Sequence, residues 1–217
     1  MPTPGFPPDT LTSEGLPAWI DDLACGDPNH ILHVARGIEP AKALEALGAE
    51  PELIRSVELP DSKPDEWSSL PGAALGVEPG TSAVLLAGRV GEWTFVYDDA
   101  GETYDDEATS ALSRDGRTAA TSVYTINGDA SFTYAVDSRL VASIDVENLL
   151  LEEDLPGMPA ELRAAFEAAG IADWEDLEPG EVDSLIGMRT ACALAGLTLT
   201  LSDIRRVPLL AVPVPLD

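Results

Sequence analysis

The chain has 217 residues, of which 39 are Asp or Glu and 12 are Lys or Arg, for a net charge of −27. That surplus excludes electrostatic attraction to DNA, RNA or an anionic membrane surface and favours basic proteins and cations. With 45% hydrophobic residues falling in periodic runs, the composition also excludes a disordered polyanion and predicts a single folding unit.

In chain order, the opening MPTPGFPPDTLTSEG has neither a basic leader nor an apolar run. Its Pro, Gly, Ser and Thr predict a flexible arm over 1–15, ahead of one α+β domain over 16–217. A short amphipathic helix follows through Trp19, Ile20 and Leu23. Residues 30–36 read as a strand, and Gly37 turns it into a helix over 40–47 that Gly48 ends. Prolines at 51, 60, 64, 71 and 79 interrupt every candidate element over 50–80, so a long connection is expected there, with a brief helix near 65–70.

The sheet signal begins at Ser82. SAVLLAGRV is a buried-strand run, and after Gly91 the segment EWTFVYDD alternates, placing Trp93, Phe95 and Tyr97 on one face. A short helix is expected over 105–112. TAATSVYTI then leads into Asn127-Gly128, read as a type I′ hairpin turn, followed by strands over 131–136 and 140–146 joined by Asp137-Ser138, a three-stranded meander. The last third predicts helices over 160–169 and 182–195, closed by Gly170 and Gly196. After a brief helix near 201–206, VPLLAVPVP is expected as an edge strand because its prolines cannot donate to a ladder. Together these elements predict an α+β fold with an antiparallel sheet of about five or six strands, covered mainly on one face by the late helices and the 40–47 helix.

Four segments carry a family resemblance: ILHVARGIEPAKALEALGAEPE, GEWTFVYDDAGE, ATSVYTINGDASFTYAVDSRLVASIDVE and SLIGMRTACALAGLTLTLSDIRRVPLLAVPV. They resemble the actinobacterial family catalogued as domain of unknown function sixty-four sixty-one. Its members are similar in their strand-Arg-Gly-helix-Leu-Gly-Ala opening, Gly-x-Trp-Thr strand, Ser-Val-Tyr and Phe-x-Tyr-Ala strand pair, and Ala-rich helix before a terminal Leu-Leu strand. The resemblance implies a shared fold and a soluble bacterial protein, and transfers no catalytic residue.

For chemistry, two acidic clusters stand out. Asp98, Asp99, Glu102, Asp105, Asp106 and Glu107 fill a turn between a strand and a helix. No frame matches an EF-hand: from Asp98 the sixth position is Thr103, and from Asp99 the third is Gly101. The turn is expected to be solvated. Asp173, Glu175, Asp176, Glu178, Glu181 and Asp183 form the second cluster, where some favour the start of the next helix.

His30 and His33 fall on opposite strand faces and cannot pair. Cys25 and Cys192 lack a CxxC spacing, so neither a zinc nor a redox site is supported. The nucleophile-elbow, dinucleotide and phosphate-loop patterns are missing. Arg36 either orients an anion or makes an ion pair. The aromatics Trp93, Phe95, Tyr97, Tyr124, Phe132 and Tyr134 are expected as core.

The functional expectation is a non-catalytic, cytoplasmic interaction module of immunity, antitoxin or regulatory type. It would meet a basic protein partner through Asp98, Asp99, Glu102, Asp105, Asp106, Glu107, Asp173, Glu175, Asp176 and Glu178, with no cofactor, no metal site, no membrane and no direct nucleic-acid contact. Two alternatives stand beside it. One is a divalent-cation-dependent hydrolase or small-molecule binder using the 98–107 loop; the other is a nucleic-acid mimic.

Overall fold

A computed structural model describes residues 3–26, 28–105, 107–146, 157–171 and 183–216. Its strands are β1 (His30–Arg36), β2 (Arg55–Val57), β3 (Ala83–Val90), β4 (Trp93–Asp98), β5 (Thr118–Tyr124), β6 (Ala130–Val136), β7 (Arg139–Asp145) and β8 (Leu209–Val214). They form one 8-stranded antiparallel sheet in the order β2-β8-β3-β4-β1-β5-β6-β7. The helices are α1 (Ala18–Leu23), α2 (Pro40–Ala46), α3 (Leu70–Leu75), α4 (Ala108–Leu112), α5 (Ala160–Ala169), α6 (Ile186–Ala195) and α7 (Leu201–Ile204). The α+β class holds, with a larger sheet than five or six strands. None of the described helices is long and apolar enough to cross a membrane.

The central strands are buried on both faces, which is why β3 and β4 read as near-continuous apolar runs. On one face Leu32, Val34, Phe95, Tyr97, Phe132 and Tyr134 meet Trp19 of α1, Phe166 of α5 and Met188 of α6. Trp19 lies 5.5 Å from Phe95 between ring centroids, Phe132 lies 5.3 Å from Phe166, and the Trp19 indole donates to the Leu197 carbonyl at 3.2 Å. Gly88 of β3 makes room for this layer, since a Cβ there would come within 2.7 Å of the Phe95 ring. The other face has a smaller core, in which Leu85, Ala87, Val96, Ala119 and Val212 meet Ala43 and Leu44 of α2 and Leu112 of α4. The expectation that α2 joins the late helices is therefore corrected: the alternation of β3, β4 and β5 supplies two apolar faces, and α2 covers the second.

Three further expectations change. The connection over 50–80 contains β2, which pairs with β8, so β8 is an interior strand. Its Pro213 lies beyond the three residues paired with β2, where one side of the strand has no partner awaiting a donor. The brief helix of this connection is α3, displaced toward the C-terminus because Ser69 caps it and Pro71 sits in its first turn, where a missing N–H costs nothing. The segment over 3–15 is docked: the Gly5 N–H donates to the Ala168 carbonyl at 2.9 Å, and the Gly15 carbonyl accepts from Arg189, a guanidinium that also pairs with Asp183 at 2.7 Å.

The two hairpin turns exchange roles. Asp137 and Ser138, at φ 50 and 63, form the tight two-residue turn that joins the pair Val136 and Arg139. At Asn127-Gly128 only Gly128 has positive φ, at 90. The Thr125 carbonyl accepts from the Gly128 N–H at 2.9 Å, and the Thr125 N–H donates to the Asp129 carbonyl at 2.9 Å. This is a three-residue loop with glycine in the left-handed position.

Candidate functional site

The first acidic cluster lies at the end of the sheet where β1 begins and β4 and β5 finish. Asn29, which the sequence reading passed over, ties this end together. Its N–H donates to the Asp99 carbonyl at 3.0 Å, its side-chain amide donates to the Ala100 carbonyl at 3.4 Å, and its side-chain oxygen accepts from the Ile126 N–H at 3.2 Å. The loop after β4 and the β5–β6 hairpin are thereby held side by side.

Within the cluster the carboxylates separate. Asp98 is fully buried and Asp99 nearly so, while Asp105 and Glu107 are exposed and Glu102 is half-buried. The expectation of a solvated turn, and of Asp98 as a residue a partner touches, is corrected for these first two. The cause is the register of β4, which points the side chain at position 98 toward the α2 and α4 face, beneath the chain that folds back over it. There Asp98 accepts four hydrogen bonds: Oδ1 from the Ala100 and Gly101 N–H groups at 2.9 and 3.0 Å, and Oδ2 from the Thr103 N–H and hydroxyl, each at 2.8 Å. Asp106, Asp173, Glu175, Asp176 and Glu178 lie outside the described residues. Among the described residues no group of three or more His, Cys, Asp or Glu side chains comes together to hold a metal ion.

Asp98 also orders a polar chain across the sheet. The single Thr103 hydroxyl proton goes to Asp98, so Thr103 accepts from His33 Nε2–H, at 2.9 Å. His33 Nδ1 is then the acceptor and takes the Thr121 hydroxyl proton at 2.8 Å; Thr121 in turn accepts from Thr109 at 2.7 Å, and Thr109 from Thr133 at 2.6 Å. One carboxylate thus fixes a tautomer and four hydroxyl orientations. Burial holds His33 neutral, with its pKa lowered to about 3.

On the opposite face His30, as its spacing from His33 requires, meets different partners. Its Nδ1 lies 2.7 Å from the Tyr97 hydroxyl and its ring stacks between Tyr97 and Tyr124, while burial lowers its pKa to about 4. Asp99 is on this side too. Its Oδ2 accepts from the Cys25 N–H at 3.1 Å. Burial, with the charge of Asp98 adding, raises its pKa to about 6. Burial and Asp99 together push the Cys25 thiol up to about 11. Arg36, at the far end of β1, makes an ion pair with Glu161 at 2.5 Å and lies 4.6 Å over the Trp93 ring.

Three hollows open around this end. One of about 320 Å³ is walled by Glu102, Asp105, Glu107 and Arg114. A second of about 300 Å³ lies between Tyr104 and the β5–β6 hairpin, with Asp129 on its wall. A third of about 160 Å³ contains Cys25, Trp67 and Asp99. Ala100 lines both of the last two. No family model matches this chain, nor does any curated protein or solved structure.

Proposed function

We propose that the chain is an acidic interaction module that binds a basic protein partner at the β4 end of the sheet, and that it belongs to the actinobacterial family it resembles. The observation that carries the binding reading is the pairing of exposed apolar side chains with surplus carboxylates at one place. Tyr104 is 63% and Ile126 60% exposed; Tyr104 lines the hollow that holds Asp129, Ile126 sits in the hairpin between its lining residues Thr125 and Asn127, and Asp105 and Glu107 are beside Tyr104 in the chain. An aromatic and an aliphatic side chain ringed by charge is the composition of an interface centre and rim. Electrostatics across the molecule agree: among the described carboxylates only Asp98 and Asp99 are buried, and Arg36, Arg89, Arg117, Arg163, Arg189 and Arg206 are each neutralised by a local Asp or Glu. The excess negative charge is left facing solvent, where it steers cationic surfaces.

Oligolysine binding, followed by calorimetry at rising salt, tests this. Affinity is expected to fall with ionic strength, and to fall severalfold further in Tyr104→Ser and in the double variant Asp105→Asn, Glu107→Gln. Equal losses from removing Glu50, Glu52 and Glu58, far along the chain, would reduce the effect to net charge alone and overturn the site.

A further inference from the structure

We propose that the hollow containing Asp99 receives the ammonium end of a lysine side chain from the basic partner; this rests on the interaction reading above and assigns that partner a specific anchor. Asp99 is 6% exposed, yet it lines an open hollow of about 160 Å³ whose other walls include Gly72, Val77, Ala83 and Val84, with Glu78 and Ser82 as polar edges. A buried carboxylate is normally matched by a cation or by several donors. Asp98, one residue earlier, accepts four hydrogen bonds, whereas Asp99 is met by the Cys25 N–H and thiol and by its own N–H, and its burial outweighs these donors, raising its pKa. Among the described residues no Lys or Arg pairs with it, because the nearby Lys63 ammonium is held by the Ala24 carbonyl at 2.6 Å. A negative group is thus set in a largely apolar recess with neutral donors and, among the described residues, no cation paired with it.

The walls specify what compensates it. A largely apolar recess with buried Asp99 and exposed Glu78 on its walls suits a flexible hydrocarbon stem with a compact charged head, which is lysine. Arginine's fork fits less well, since it uses both carboxylate oxygens and Oδ2 already accepts from the Cys25 N–H. At the mouth stands Trp67, 55% exposed. It is fixed in place by its own N–H donating to Asp65 at 2.9 Å and by Glu66, whose carbonyl accepts from the Gly26 N–H at 2.7 Å. An indole face at the entrance attracts an alkylammonium. Through Ala100 the recess adjoins the Tyr104 hollow, so one partner surface spans both.

The test uses n-butylammonium as the probe and n-butanol as its uncharged counterpart, with the Trp67 indole resonance of the full chain as readout. Saturable shifts with the ammonium and none with the alcohol are expected, and Asp99→Asn, which keeps the shape and the Cys25 contact, should weaken binding at least about tenfold. Trp67→Ala, at a surface position that does not threaten folding and followed through the Cys25 amide resonance instead, should weaken it severalfold. Equal response to the alcohol, or unchanged ammonium binding in Asp99→Asn, would overturn the proposal. Oligolysine separates the two readings. Full oligolysine affinity in Asp99→Asn removes the anchor and leaves the interaction module standing; butylammonium binding without any oligolysine binding leaves the anchor and removes the module.

Discussion

Asp98 and Asp99 are chain neighbours, both buried, and the fold treats them in opposite ways. On the α2 and α4 side, Asp98 is saturated by four donors and sends its polarity through Thr103, His33, Thr121 and Thr109 to Thr133. On the α1 side, Asp99 is met by the Cys25 N–H and thiol and by its own N–H, lines a largely apolar recess and has a raised pKa. Burial alone therefore does not decide what a carboxylate does: the balance of donors against desolvation does, and at Asp99 desolvation wins.

The largest test of this contrast is acid. His30 and His33 have folded pKa values depressed to about 4 and about 3, so their stabilising contribution is complete above the unfolded value of 6.5 and is lost as pH falls below it. At about pH 4 that loss is roughly 3 kcal/mol for each. Asp99 has the opposite sign. Its folded pKa is raised to about 6 from 3.8, so its contribution is fullest at low pH and is lost as pH rises through about 6, returning roughly 3 kcal/mol on acidification. Denaturant titrations at about pH 7 and pH 4 should show a net loss of about 3 kcal/mol from these three groups, and in Asp99→Asn a loss nearly twice as large.

Next in size is Asp98→Ala. Three N–H groups and the Thr103 hydroxyl lose their acceptor, and Thr103, freed from Asp98, no longer fixes the His33 tautomer, so a cost of about 3–4 kcal/mol is expected in urea unfolding. Asp99→Asn at about pH 7 should instead stabilise by about 2 kcal/mol, because it removes a charge that burial disfavours. If both variants destabilise equally, the contrast between the two carboxylates fails. The smallest effect is at the far end of the chain, where Thr133→Val removes the last hydroxyl and should cost about 1 kcal/mol or less.

Local signals made much of this fold readable. Strand β1 and helix α5 fall at the residues their periodicity marks, with Gly170 in the left-handed position that ends α5. The aromatic alternation of β4 correctly places Trp93, Phe95 and Tyr97 in one core. Elements that exist only through a partner were not readable. The three residues of β2 have no pattern of their own and become a strand against β8. The tight turn falls at Asp137-Ser138 because the β6–β7 register leaves two residues to close it, although Asn127-Gly128 carries the stronger turn signature.

At the candidate site the sequence displays six carboxylates in a row of ten residues and nothing that distinguishes them. Which ones turn inward depends on the donors of a folded loop and on Cys25, which is remote in the chain. By itself, then, the sequence determined the α+β class, most strand and helix positions and the sign of the surface field, because these follow from periodicity, turn chemistry and a sum of charges. Only the tertiary structure decided that α2 covers the second face, that Asp98 anchors a polar chain and that Asp99 faces a recess, because hydrogen-bond partners and burial are set by segments that meet only when the chain has folded.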